Sequence, residues 1–277
     1  MADYAIVGRK GNGKTLTSIG IIKDALIANK RVVTNLNINL DKLMPRNSKK
    51  TVIRIPDHPS IYDLNAIGRG QDGVIEEENG IIVLDECSHF FNSRDFGDKS
   101  RKDVLDWLTQ SRKLGWDVYY IMQGLQQIDK QIRETQIEYT ISIKRTDKWP
   151  VPFIGFMSAM IFGEKYRVKW PKGQLAVTRQ GVAADSIRLS TRWYRSHEFY
   201  DAYETQQLFR PQAQSNEWDF IGLHTQLSAW HIKGRYMPPV ISWREFPVLA
   251  LKAIIYFAFV ITKSPLPNSG YRGAALM

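Results

Sequence analysis

Gly8-Arg9-Lys10-Gly11-Asn12-Gly13-Lys14-Thr15 has the residue types and spacing of a phosphate-binding loop. Gly8, Gly11 and Gly13, with Asn12 between the last two, let the backbone wrap an anion. The free N–H groups and positive dipole end of the helix that follows then face the phosphates. Lys14 has the reach for the β- and γ-phosphates, and the Thr15 hydroxyl is a ligand for Mg²⁺. The flanking pattern suits that chemistry. Tyr4-Ala5-Ile6-Val7 reads as a buried strand, and Leu16, Ile19, Ile22, Leu26 and Ile27 recur at helical spacing behind the loop. The expectation is a site for a nucleoside triphosphate and Mg²⁺.

Such a loop needs an acidic strand end to complete it. Ile81-Ile82-Val83-Leu84 is a continuous apolar run after the turn signal Asn79-Gly80, and Asp85-Glu86 closes it. Strands buried on both faces of a parallel sheet read this way, with function at their carboxyl ends. Asp85 is therefore a candidate for the Mg²⁺ shell, with Thr15, and Glu86 for orienting or deprotonating the attacking water. Val118-Tyr119-Tyr120-Ile121-Met122 is a third strand, ending on Gln123. It follows an amphipathic helix of about residues 100–114 that Gly115 stops. Gln123 either senses the γ-phosphate or simply bonds a loop. Arg112 and Arg133 are candidates for a charge-stabilising finger on a neighbouring subunit, against the commoner solvated or ion-paired arginine.

The elements that must position these groups fit an α/β fold with a mostly parallel central sheet. A core at 1–148 ends with a strand at Tyr139-Thr140-Ile141-Ser142-Ile143. A smaller β-rich and helical extension at 149–209 is expected next, with a strand-like piece over Tyr166 to Trp170 and a polar helix over Ser196 to Phe209. Residues 210–245 read as a polar linker. At 277 residues, with 43% hydrophobic and 24% charged residues, the chain is globular in composition. A net charge of +10 points to an anionic partner, nucleic acid or lipid headgroups. Basic and aromatic residues interleave at Lys144-Arg145, Lys165 to Trp170 and Arg192 to Arg195, either as a track for single-stranded nucleic acid or as an ordinary basic surface. Cys87, the only cysteine, excludes an intrachain disulfide and reads as a small buried thiol.

Phe246 to Thr262 carries a single charge, Lys252, over about 17 residues, the lower limit for a spanning helix. Lys233, Arg235 and Arg244 precede it, against Lys263 and Arg272 after it, so the N-terminal side is expected to be cytoplasmic. A buried core helix and an interfacial helix are the competing readings. The expectation is one transmembrane helix at 246–263, a short external tail at 264–277, and no cleavable leader before the first strand.

These motifs follow in order: the N-terminal loop, Leu84-Asp85-Glu86, Ser111-Arg112-Lys113-Leu114-Gly115, a strand ending in Gln123, Ile128-Asp129-Lys130-Gln131-Ile132-Arg133, and one late span. The series resembles the zonula occludens toxin family, which includes filamentous-phage assembly proteins. The resemblance covers roughly residues 1–265. It implies a RecA-like P-loop ATPase working as a homo-oligomeric ring in the host inner membrane. Implied partners are phage coat proteins or the phage single-stranded DNA complex, and an outer-membrane exit channel. By position it assigns Lys14 and Thr15 to nucleotide and Mg²⁺, Asp85 and Glu86 to the Walker-B pair, and Gln123 to the sensor. Better-known members have a substantial domain beyond the span, where this sequence has Lys263 to Met277, so channel contact stays open and toxin activity is unsupported.

Three functions compete at this point. One is a motor ATPase for assembly and extrusion of filamentous virions. The second is a membrane-tethered DNA translocase or packaging ATPase, favoured by the charge. The third is a structural adaptor that uses nucleotide as a conformational cofactor, against which the intact Asp85-Glu86 pair argues.

Overall fold

Side chains that alternate in direction along buried strands need two apolar layers to receive them, and this chain supplies both. In a computed structural model, residues 2–71, 73, 75–87, 99–127, 133, 136–147, 149–183, 186–205, 207 and 222–233 are described. All lie within one compact unit, Met1–Arg235. The strands are β1 (Asp3–Val7), β2 (Val32–Thr34), β3 (Val52–Arg54), β4 (Gly80–Leu84), β5 (Trp116–Met122), β6 (Tyr139–Arg145), β7 (Gly173–Gln180), β8 (Arg188–Arg195) and β9 (His224–Gln226). The helices are α1 (Lys14–Ile27), α2 (Leu40–Leu43), α3 (Ile61–Ala66), α4 (Lys99–Gln110), α5 (Ile154–Phe162) and α6 (Ala229–Lys233).

The strands form one sheet in the order β8-β7-β6-β1-β5-β4-β2-β3-β9. From β6 to β3 every pairing is parallel, and β7, β8 and β9 add antiparallel edges. The mostly parallel sheet expected from sequence is thus present. Ile6, Ile81, Val83 and Ile121 face α1, whose Leu16, Ile19, Ile22 and Leu26 cover them. Ala5, Ile82, Leu84 and Val118 face the other way, onto Leu64 of α3 and Val104, Trp107 and Leu108 of α4. The helix before β5 tightens to a 3-10 turn over Ser111–Leu114 and ends at Gly115, whose φ of 75° supplies the left-handed stop.

Residues 149–209 bear the corrections. Tyr166 to Trp170 is not a strand: Lys169 makes a single bridge to Pro150, and residues 164–166 are a 3-10 turn. The true strands of that region, β7 and β8, hydrogen-bond onto β6 and widen the central sheet. Helix α5 was not anticipated, because a short apolar run flanked by proline and glycine reads equally as strand. The described part of the helix expected over Ser196 to Phe209 is instead two 3-10 turns, Ser196–Glu198 and Tyr200–Ala202, after which Tyr203 bridges to Ile38. Phe199 and Ala202 sink into the core there, so tertiary burial overrides a weak helical pattern. Residues 210–245, read as a linker, contribute β9 beside β3. The expected membrane span at 246–263 lies outside the described residues, and among those described no helix is long and apolar enough to cross a membrane.

Candidate functional site

One end of the sheet gathers the chemistry. Strand β5 lies between β1 and β4, with Val7 level with Met122 and Leu84 level with Tyr120, so the loop after β1 and the acids after β4 emerge side by side. Thr15 Oγ1 donates to Asp85 Oδ2 at 2.8 Å. The two halves of the site, 70 residues apart in sequence, therefore meet in one hydrogen bond. The loop itself is shaped by Gly13, at φ 82° and ψ 37° just before α1. A Cβ at Gly13 would also come within 2.8 Å of the Gln174 side chain of β7, so glycine is required twice over.

Strand β6 braces the loop from its other side. Asn12 Nδ2 donates to the Ile143 carbonyl at 3.2 Å, and Arg145 Nη1 to the Gly11 carbonyl at 3.3 Å. Arg145 is itself paired with Asp147. A cleft of about 600 Å³ opens along this flank, lined by Gly8, Arg9 and Asn12, by Gln123 and Leu125, and by Trp149. Gln123 is exposed at the tip of β5 and lies in the same cleft as the loop.

Asp85 is buried and held from three directions. Its Oδ1 accepts the Glu86 backbone N–H at 2.7 Å, and its own N–H donates to Asn35 Oδ1 at 2.8 Å. Asn35 Nδ2 returns a bond to the Asp85 carbonyl at 3.1 Å. Burial raises the Asp85 pKa, against the lowering pull of the Thr15 hydroxyl, the Glu86 N–H and the Lys14 charge. A carboxylate this desolvated is matched to a cation. A hydroxyl and a carboxylate 2.8 Å apart are the hard oxygen donors that Mg²⁺ takes from proteins, few in number and completed by water and phosphate. Among the described residues no cluster of three or more His, Cys, Asp or Glu offers a denser metal site. Glu86 has φ 53°, a left-handed backbone uncommon for a non-glycine residue, immediately after the metal-type aspartate.

The arginines part company. Arg112 lies before β5, at the sheet's opposite end, and pairs with Glu138 at 2.7 Å. Arg133 is on the site's end, where its Nη1 donates to the Leu125 carbonyl at 3.4 Å; Ile128 to Ile132 lie outside the described residues. Cys87 is fully buried, as expected, and burial holds its thiol pKa well up.

Sequence reasoning missed Asn35, Gln174 and Arg54. Asn35 follows the β-branched strand Val32–Thr34, and a buried amide there was the available signal. Arg54, fully buried at the end of β3, pairs with Asp57 at 2.6 Å and donates to Asn37 Oδ1 at 2.9 Å. Burial lowers its pKa, countered by the Asp57 pairing. Gln174 exchanges hydrogen bonds with Ser196 at 2.9 and 3.1 Å beside Gly13.

A strand–loop–helix anion site joined to an acidic strand end is the architecture of a P-loop NTPase. Comparison with known proteins agrees in family. The Zonular occludens toxin (Zot) model matches residues 4–160. The Gene 1 protein of Enterobacteria phage M13 is 39% identical over 243 residues, 87% of this chain and 68% of that protein. That of Enterobacteria phage fd is 38% identical over the same shares. The N-terminal domain of zonular occludens toxin from Neisseria meningitidis aligns with 74% of this chain and 100% of its own, at 19% identity and a TM-score of 0.40. That superposition is loose, and the fold assignment rests on strand order and the loop instead. With the family model spanning more than half the chain, this chain belongs to the zonular occludens toxin family.

Proposed function

We propose that this chain is an ATP-hydrolysing motor for assembly and extrusion of filamentous phage virions, working as a RecA-like homo-oligomeric ring at the host inner membrane. The observation that carries the nucleotide half is the 2.8 Å bond between Thr15 and Asp85, which joins the phosphate loop to the acidic strand end. Family membership and the phage Gene 1 relatives support the assembly half.

Lys14 and the loop N–H groups bind the β- and γ-phosphates, and Thr15 and Asp85 hold Mg²⁺. Held by these two oxygens, Mg²⁺ would supply positive charge against the charge developing on the phosphates. Asn35 fixes the Asp85 backbone, and the left-handed turn at Glu86 sets where its carboxylate points, as the base that takes the proton of the attacking water. Gln123 reads the γ-phosphate from the adjacent strand tip. Arg133, rather than the Glu138-paired Arg112, is assigned the finger role in a neighbouring subunit's site, because it lies at the site's end of the sheet. Residues 246–263 cross the membrane once with the described unit in the cytoplasm; protease accessibility of the unit from the outer side of spheroplasts would contradict that orientation. Coat subunits or the phage DNA complex are the work object.

The test is a phage carrying Lys14→Ala. Particle release is expected to stop, with purified variant turning over no ATP; undiminished release would sink the assembly reading. The net charge of +10 favours one second reading, a membrane-tethered DNA translocase or packaging ATPase. Stimulation of turnover by DNA, lost steeply as salt rises, would support it over the first.

A further inference from the structure

Between β6 and β7 the chain leaves the sheet and returns, and what it carries does not behave like a surface. The outgoing and returning arms pair at the base: Val151 N donates to the Val168 carbonyl and Trp170 N to the Trp149 carbonyl, each at 3.0 Å. At the tip is α5, Ile154–Phe162, with Gly155 its only buried residue. Phe153, Met160 and Phe162 are 79%, 75% and 66% exposed, and Ile154, Phe156 and Ile161 are exposed with them. Ser158, the one polar side chain of the helix, is turned inward: its Oγ donates to the Gly155 carbonyl at 3.1 Å and accepts Val168 N–H at 3.0 Å. The outward surface is therefore hydrocarbon all round. Helices apolar all round are covered by something, and a patch of this kind on a soluble unit marks an interaction site.

We infer that α5 is an interfacial wedge that inserts into an anionic lipid surface. Its size rules out crossing: nine residues make about 14 Å of helix, under half of the ~30 Å hydrocarbon core. Charge complementarity names the occupant. Over residues 149–173 there are four basic residues, Lys165, Arg167, Lys169 and Lys172, and one acid, Glu164, a net of +3. They sit on the returning arm below the helix, with Trp149, Tyr166 and Trp170 partly exposed beside them. An apolar tip followed along the returning arm by amphipathic aromatics and cations suits acyl chains, headgroup boundary and anionic headgroups in turn. Two such tips meeting each other would bring +3 against +3, which disfavours a second copy of the same surface. Phe153 supports an outward role too: it holds φ 62°, disfavoured for a bulky residue, while its ring stays exposed. The inference goes beyond the nucleotide reading and is independent of residues 246–263.

The test labels the full chain at Phe156→Cys with a polarity-sensitive dye, Cys87 being buried and out of reach. The protein is reconstituted into phosphatidylcholine vesicles with and without phosphatidylglycerol, each carrying acyl-chain nitroxide. A blue shift and nitroxide quenching are expected with phosphatidylglycerol only. Changing Lys165, Lys169 or Lys172 to Gln, each exposed and none of them the Glu164-paired Arg167, is expected to lower the anionic preference about fivefold each. A second reporter at Met160→Cys repeats the measurement, so the inference does not hang on one variant. Two results would overturn it: a dye that stays open to aqueous iodide in both vesicles, or a blue shift without nitroxide quenching that grows with protein concentration, which would mean a protein partner. ATP turnover of the unlabelled parent chain is read alongside. Its absence would count against the nucleotide reading and leave the lipid result to stand or fall alone.

Discussion

The two ends of the central sheet each bury an aspartate, and the two are used in opposite ways. At the carboxyl end Asp85 has both oxygens engaged, by Thr15 and by the Glu86 N–H, with Lys14 close enough to act on it. At the amino end Asp3, first residue of β1, has its Oδ1 buried without a partner. Burial, then the negative charge of Glu138, pushes the Asp3 pKa up to about 7, with Arg112 pulling down and Asp117 adding to the rise. Burial raises both carboxyls. A shifted pKa therefore does not identify the working end; convergence of a hydroxyl, a lysine and a phosphate loop on the group does.

The largest effect expected from that contrast is on turnover. Asp85→Asn and Glu86→Gln should each lower kcat by roughly 10²–10⁴-fold, while nucleotide still binds through the loop. Asp3→Asn should leave kcat within about twofold, since Asp3 begins β1, level with Val118, while the site lies past Val7 and Met122 at the other end of these strands. Steady-state ATP hydrolysis with a nucleotide-binding control decides it. Equal losses at the two ends would break the comparison.

Stability should invert the order. A carboxyl whose folded pKa is raised from 3.8 to about 7 favours the fold when protonated, an advantage complete below about pH 4 and lost as pH climbs through 7. Asp3→Asn removes the cost of carrying a buried charge. At pH 8 it should stabilise the protein by on the order of 2–4 kcal/mol, and near pH 4 by almost nothing. Denaturant melts at the two pH values test the sign. A variant less stable than the parent at pH 8 would mean that Arg112 outweighs burial.

How much of this was legible beforehand follows from how local each feature is. Gly8 to Thr15 carry their chemistry within one turn of chain, and Ile81 to Glu86 announce a buried strand with an acidic end; both read directly. Gln123 was placed at the right strand tip because Val118 to Met122 has no polar interruption. Asn35 was not legible. Its amide serves Asp85, 50 residues on, and nothing in Val-Val-Thr-Asn declares that partner. The edge strands escaped for a related reason. β8 is exposed over most of its length and carries Arg188, Arg192 and Arg195, and β7 mixes Gln, Thr and Arg with its apolar residues, so their pattern is weak until β6 offers its edge. Arg112 looked like Arg133 in sequence, and only strand direction separates the two ends.

A smaller effect sharpens the site itself. Asn35→Ala removes both bonds to the Asp85 backbone and leaves a buried N–H and carbonyl unanswered, a loss of about 1–3 kcal/mol in stability. As a positioning residue it should lower kcat more than it raises KM for ATP. Asn35→Asp keeps the acceptor for Asp85 N–H but sets a buried carboxylate against the Asp85 carbonyl, so at neutral pH it should be no more stable than Asn35→Ala. An unchanged kcat would show that Asp85 is held well enough by Thr15 alone.

The smallest effect belongs to α5, and its smallness is the point. Ile161 is 64% exposed, so Ile161→Asp should change unfolding free energy by less than about 0.5 kcal/mol. An apolar residue under selection for folding would not be so indifferent; burying Asp at Ile19 of α1, at 0% exposure, would destroy the unit. Both helices carry isoleucines, with opposite consequences. The difference is whether the chain's own sheet receives the side chains or something outside the chain must. If Ile161→Asp instead destabilised the monomer by several kcal/mol in denaturant melts, α5 would have to pack against the chain itself, and its exposure would no longer point to a partner.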